Sequence, residues 1–213
     1  MRHGDRMNYR YYVAAFAFLI CFPVLLVAMP EFGSDGLDGL DAGQIQHLEQ
    51  GRIIFTVSES SGNKSKLIEA AFLLDKPPAE VWELLYRTED HYLYLKETES
   101  SKALYKSMSR DLIEYRVRVF MVGTTFWLVH QYDWPALYMY WDLAPEFDSG
   151  LKEFRGFWRL YPYEGGRTLA RYGNKVSPVG IPDFIVDLFR KGGIVRALEA
   201  VRLYVESGGS YRK

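Results

Sequence analysis

Residues 112–123, LIEYRVRVFMVG, alternate: Ile113, Tyr115, Val117, Val119 and Met121 fall on one side, Glu114, Arg116 and Arg118 on the other. A period of two marks a strand with one buried and one wet face. TTFWLVHQYDW (124–134), ALYMYWDLA (136–144), LKEFRGFWRLYPY (151–163) and RTLARYGNKVS (167–177) continue the series, with Pro135, Gly150 and Gly165-Gly166 as punctuation. Upstream, RIIFTVSES (52–60) and KLIEAAFLLD (66–75) flank a Gly-Asn turn and read as a hairpin. These runs predict an antiparallel sheet of about seven strands.

Helical signals lie before and after the meander. In LLDKPPAEVWELLYR (73–87), Val81, Trp82, Leu84 and Leu85 are spaced for one buried face behind Pro77 and Pro78, and EDHYLYLK (89–96) adds a second short piece. The chain then closes on IPDFIVDLFRKGGIVRALEAVRLYVES (181–207). Here Phe184, Ile185, Leu188, Ile194, Leu198, Val201 and Val205 mark an apolar stripe on a helix of roughly 25 residues, loosened at Gly192-Gly193. A curled sheet must cover its concave face, and this helix is the only element large enough to do so. The expected fold class is therefore α+β, a curled antiparallel sheet over a long C-terminal helix. Between the two lies either a cavity or an interior filled by aromatic side chains.

Ahead of the sheet stands an uncharged run of 20 residues, Tyr11 to Pro30 (YYVAAFAFLICFPVLLVAMP), long enough to cross a hydrocarbon core as a helix. Arg2, Arg6 and Arg10 precede it, while Glu31, Asp35, Asp38 and Asp41 follow, so everything after residue 30 is predicted to be translocated. Retention as a single-pass anchor is favoured over signal cleavage and secretion, because Leu26 precedes Ala28 at a poor cleavage site and the run exceeds a signal h-region. Glu31 to Gly43, EFGSDGLDGLDAG, reads as a flexible solvated spacer, and Gln44 to Gln50 as a helical turn ended by Gly51. The resulting organisation is an anchor or signal segment (1–30), a linker with a short helix (31–50), one domain (51–207) and a tail (208–213).

Charge and cysteine content remove several functions. Lys and Arg number 26 and Asp and Glu 27; setting aside the three arginines and one aspartate before residue 31 leaves 23 against 26, with no basic surplus for nucleic acid. The single cysteine, Cys21, lies in the apolar run, so neither an internal disulfide nor cysteine catalysis is available to the domain. His47, His91 and His130 show no metal-ligand spacing, and neither a nucleophile elbow nor a phosphate-binding glycine loop occurs. No catalytic residue, metal or cofactor is assigned. By alternation His130 shares a face with Phe126, Leu128 and Tyr132, but both faces of that strand are mostly apolar, so it reads as structural in preference to a general base. Arg155, Arg159 and Arg171 are expected on the wet convex face. Asp142 and Glu146 are the candidate acid or base for a cyclase, and nothing in the sequence pairs them.

Aromatics make up 16% of the chain, and their enrichment asks for a core, a pocket or a membrane contact. The candidate ligand-binding wall is Tyr115, Val117, Val119, Met139, Trp141, Trp158, Ala170 and Tyr172, with Gly156 and Ala170 leaving room among larger side chains. Tyr92, Leu93 and Tyr94 form a candidate rim suited to a membrane interface, or else anchor a short helix.

Two segments carry a family resemblance. DKPPAEVWELLYRTEDHYLYLKE (75–97) resembles the AP-x-x-VW-x-x-L opening of the START-like (SRPBCC) superfamily. LKEFRGFWRLYPYEGGRTLARYGNKVSPVGIPDFIVD (151–187) is similar to its G-x-W-x-L-x-P…GGRT-x-x-x-Y…P ending. The branch it looks most like is the coenzyme Q-binding, polyketide cyclase/dehydrase group, over about residues 51–207. Lys76-Pro77-Pro78 departs from the usual Ala-Pro but keeps the helix-starting proline. The resemblance implies a helix-grip fold around a hydrophobic pocket for lipids, quinones, sterols or polyketides. It leaves open a membrane-tethered monomeric carrier that meets its apolar ligand at the bilayer, a cyclase or aromatase-like enzyme, and a filled-core interaction module.

Overall fold

A computed structural model describes residues 30–58, 67–119, 121–179 and 183–213, with side chains omitted at Pro178 and over 183–191. Residues 11–29 of the predicted span, the hairpin turn at Gly62-Asn63, and the side chains of Phe184, Ile185 and Leu188 lie outside the described residues. Among the described residues no helix is long and apolar enough to cross a membrane.

Eight antiparallel strands form one sheet: β1 (Ile54–Ser58), β2 (Leu67–Leu74), β3 (Thr98–Lys106), β4 (Arg110–Val119), β5 (Val122–Asp133), β6 (Tyr138–Leu143), β7 (Leu151–Tyr163) and β8 (Arg167–Pro178). Their spatial order is β1-β2-β8-β7-β6-β5-β4-β3. The strand beyond the expected seven is β3, TESSKALYK, an edge strand with only partial burial and two register shifts against β4. Its polar sequence hides it, since an edge strand needs little apolar alternation. Among the described residues four α-helices accompany the sheet: α1 (Ala42–Glu49), α2 (Pro78–Leu85), α3 (His91–Tyr94) and α4 (Asp183–Glu206). α2 starts at Pro78, where the ring supplies the helical φ and the missing N–H costs nothing, and it buries Val81, Trp82, Leu84 and Leu85. α4 runs unbroken through Gly192-Gly193 and buries Ile194, Leu198, Val201, Tyr204 and Val205 against the concave face.

The convex face is only partly wet. A second core of Phe32, Leu48, Ala71, Leu73, Tyr138, Phe157, Tyr161 and Leu169 lies on it, because the segment read as a solvated spacer packs there as a strap. Phe32 is 7% exposed and its ring sits 5.9 Å from that of Phe157. Gly36, at φ +81°, lies flat on Tyr161; a Cβ there would fall 2.5 Å from the ring. Asp41 caps α1 through a reciprocal box, its Oδ1 accepting from Gln44 N at 2.8 Å while Gln44 Oε1 accepts from Asp41 N at 2.9 Å, and α1 buries Leu48 completely.

The strap also corrects the reading of Arg171 as solvated. This side chain is 6% exposed, donates from its guanidinium to Gly36 O at 3.1 Å and lies 3.8 Å over the Phe32 ring. Lys175 is buried too, paired with Glu153 at 3.1 Å, whereas Arg155 keeps the expected exposure. Residues 208–213 are not a loose tail. Gly208 and Gly209 turn the chain at positive φ, and Lys213 N donates to Leu93 O at 3.0 Å while its Nζ donates to Leu95 O at 3.0 Å.

Replacing Phe32 by Ala is therefore expected to cost about 3 kcal/mol, the scale of a buried aromatic truncated to alanine. Urea unfolding of the variant checks it; a loss below about 0.5 kcal/mol, typical of a surface site, would mean that the strap does not pack.

Candidate functional site

Between the concave face and α4 lies a cavity of about 140 Å³, walled by side chains from β4 through β8, from α3 and from α4. Five strands flat at about 4.8 Å spacing would spread roughly 19 Å, so residues from β4 and β8 share one small space only because the sheet curls. Tyr115 stacks on Phe126 at 5.4 Å, Phe126 reaches Phe154 at 5.2 Å, and Trp158 meets Tyr172 at 4.6 Å. From α4, Ala197, Leu198 and Val201 close the space.

Of the residues expected in the wall, Tyr115, Met139, Trp141, Trp158 and Tyr172 line the cavity. Val117 packs against the main core away from it, Ala170 is sealed within that core, and Val119 sits half-exposed where β4 ends. Met121 has left the strand altogether and is 92% exposed. Gly156 leaves no vacancy for a ligand. A Cβ there would lie 2.4 Å from the Trp141 indole and 2.3 Å from Gly173 O, so the missing side chain makes room for Trp141. Among the expected rim residues only Tyr92 is exposed, at 42%; Leu93 packs against the core, and Tyr94 is buried, lines the cavity and stacks on Tyr204 at 4.2 Å.

A polar cluster at the β4–β5 side is what alternation alone did not assemble. Asp111 and His130 are cross-strand partners, and His130 Nδ1 lies 2.7 Å from Asp111 Oδ1. Oδ2 of the same carboxylate accepts from Thr88 Oγ1 at 2.5 Å and from the Tyr132 hydroxyl. Asp111 is fully buried, yet these donors satisfy it. Burial pushes its carboxyl up, but the bonds from His130, Thr88 and Tyr132 and the nearby imidazole outweigh this and leave it below its ordinary 3.8. Next to it, His91 Nδ1 shares a hydrogen bond with the Tyr115 hydroxyl at 2.9 Å.

Burial, then the neighbouring His130, drives the His91 imidazole from 6.5 down to about 3, so it is neutral at physiological pH. Burial pushes the Tyr115 and Tyr172 phenols up, and both keep their protons. His91, Tyr115 and His130 all line the cavity, while Asp111 lies behind them. His130 thus points inward with Phe126, Leu128 and Tyr132, on the face that its alternation allowed. Asp111 was within reach of the same reasoning, since it stands two before Ile113 and four before Tyr115 on one face of β4. Asp142 is exposed and bonds its neighbour Leu143 N, away from the cavity. Among the described residues no group of three His, Cys, Asp or Glu is placed to hold a metal ion.

No family model matches the chain, and no curated protein is similar to it. Solved structures resemble it in fold. The STAR-related lipid transfer protein from Xanthomonas axonopodis superposes with a TM-score of 0.63 at 14% identity, over 72% of this chain and 93% of that one. The Zhui aromatase/cyclase from Streptomyces sp. R1128 gives 0.59 at 15%, over 67% and 94%. A START superfamily protein from Mycobacterium smegmatis gives 0.56 at 12%, over 66% and 97%. At these identities the likeness is one of architecture, and it is START-like.

The depressed His91 pKa has a consequence for stability. The unfolded chain takes up this proton near pH 6.5 and the native state only near 3, so stability falls as pH drops through that window, by up to about 1.4 kcal/mol per unit. Urea unfolding between about pH 7 and pH 4.5 should give a shallower slope for His91→Gln than for the native chain. Parallel slopes would show that His91 titrates normally.

Proposed function

We propose that the chain is a membrane-tethered binding or carrier protein for an apolar small molecule held between the sheet and α4. The observation that carries this reading is the cavity itself, an aromatic space left where a curled sheet meets the helices packed on its concave face. Hydrophobic burial is the driving force, about 25 cal/mol for each Å² of ligand surface covered. At about 140 Å³ the space is smaller than most ligand pockets and close to cavities that admit one benzene ring. A lipid, quinone or polyketide-like ligand therefore seats one ring or chain segment inside, and a larger guest needs α4 to ride outward. Tyr115, Met139, Trp141, Trp158 and Tyr172 are its contacts in this reading.

The START-like architecture supports the assignment, and within it the coenzyme Q-binding, polyketide cyclase/dehydrase branch is the one the sequence resembles most. The apolar run 11–30 is the tether, with residues 31–213 as a monomeric domain on the extracytoplasmic side; cleavage of the run would make the protein secreted. Tethering raises the effective concentration of bilayer ligands, so a contact as small as exposed Tyr92 would suffice at the membrane.

A second reading, a cyclase or aromatase-like enzyme, is favoured by one observation. An imidazole oriented by a buried carboxylate is the base-plus-orienter arrangement that proton transfer requires, and His130 with Asp111 has it at 2.7 Å.

Filling the space tests the carrier reading. Ala197→Trp places an indole from α4 into the cavity and should lower uptake of a fluorescent fatty acid or quinone by about tenfold or more, with unchanged far-ultraviolet circular dichroism. Undiminished uptake by a folded variant would move binding elsewhere.

A further inference from the structure

His130 is built unlike a core histidine. Its Nδ1 is committed to Asp111 at 2.7 Å, and Asp111 does not line the cavity. The other ring nitrogen, Nε2, has no hydrogen-bond partner among the described residues, yet it is not among the buried polar atoms that are sealed off without one. Since the ring is itself only 2% exposed and lines the cavity, Nε2 opens into that space. With Asp111 accepting from Nδ1–H, a ring nitrogen Nε2 that carries no proton is an acceptor.

The other polar groups on this wall are not equivalent. Tyr115 and His91 Nδ1 share a hydrogen bond at 2.9 Å, the Tyr172 hydroxyl pairs with Asn174, and Tyr132, behind the wall, gives its hydroxyl to Asp111. The remaining wall near His130 is aromatic, with Phe126 and Trp141 beside it. An acceptor held in place by a buried carboxylate, in an apolar space of one-ring size, is a site for a ring that carries a hydroxyl group.

Resting on the reading of the cavity as a binding site, we propose that it selects ligands bearing a weakly acidic ring hydroxyl, a phenol or an enol, which donates to Nε2 of His130. For a sufficiently acidic ligand the O–H bond breaks, its electron pair stays on oxygen as phenolate or enolate, and the proton passes to Nε2. The imidazolium so formed keeps Nδ1–H on the Asp111 carboxylate, which balances its charge. The titratable groups facing His130 are Asp111 and Tyr115 from β4, Tyr132 from its own strand and His91 from α3. Burial keeps the phenols protonated and His91 neutral, which leaves Asp111 as the charge that stabilises a proton on His130. Asp111 is a positioning residue here, since it acts through His130.

The test compares phenol with toluene, two rings of nearly equal size, binding to the full chain against a protein-free blank. Phenol should bind at least about tenfold more tightly, because only it offers a donor to Nε2. Toluene bound as well as or better than phenol overturns the inference while leaving the cavity a binding site. Binding of neither ring removes the cavity reading itself, and this inference with it. In His130→Phe the phenol-to-toluene affinity ratio, read within the variant, should collapse toward one, and a retained ratio overturns the proposal.

Should that variant fail to fold, the native chain still decides through the absorbance of bound 4-nitrophenol. Transfer to His130 makes the bound dye ionise at a lower pH than the free dye. Apolar burial alone shifts its ionisation to higher pH, and that outcome contradicts the proposal.

Discussion

Among the described residues one long helix and two short ones do not fill the inside of a curled eight-stranded sheet, and that geometric shortfall shapes everything else in this domain. Interiors normally pack to crystal density, so a space of about 140 Å³ persists only where the walls cannot collapse. Here they are propped. Trp141 is wedged against Gly156, Tyr94 is stacked on Tyr204, and the aromatic row Tyr115, Phe126 and Phe154 spans neighbouring strands. On the far side, Phe32 and Leu48 hold the sheet from behind, so its curvature is braced on both faces.

The buried carboxylate of Asp111 plays a complementary part. A charge in such a place is tolerated because three donors reach it, from Thr88 before α3 and from His130 and Tyr132 on β5. The same contacts hold the His130 ring in one orientation with Nε2 toward the space. Packing and polarity thus cooperate: the aromatic walls keep the space open, and the hydrogen-bonded Asp111–His130 pair gives it a chemically distinct point.

The sheet, α2 and the buried stripe of α4 were legible in the sequence because each carries a strong period, as in Ile113-Tyr115-Val117 and in Ile194-Leu198-Val201-Val205. The strap was not. EFGSDGLDGLDAG has the composition of a solvated spacer, and only its spacing of glycines at positive φ and its lone Phe32 hint that it lies flat on a protein surface. Arg171 was misread for the same reason, since alternation gives the face but not what covers it. Of the residues alternation pointed to, five line the cavity, but alternation could not tell lining from core at Val117 and Ala170, where depth along the strand decides. The pairing of Asp111 with His130 depends on the β4–β5 register, which no local pattern reveals.

Vacancy is the claim on which the account rests, and xenon diffraction from pressurised crystals measures it directly, because the gas occupies apolar cavities without needing a chosen ligand. The account predicts a single strong xenon peak enclosed by Phe126, Trp158, Tyr172 and Val201. Side chains closed over that position, with no xenon there in well-ordered crystals, would contradict it.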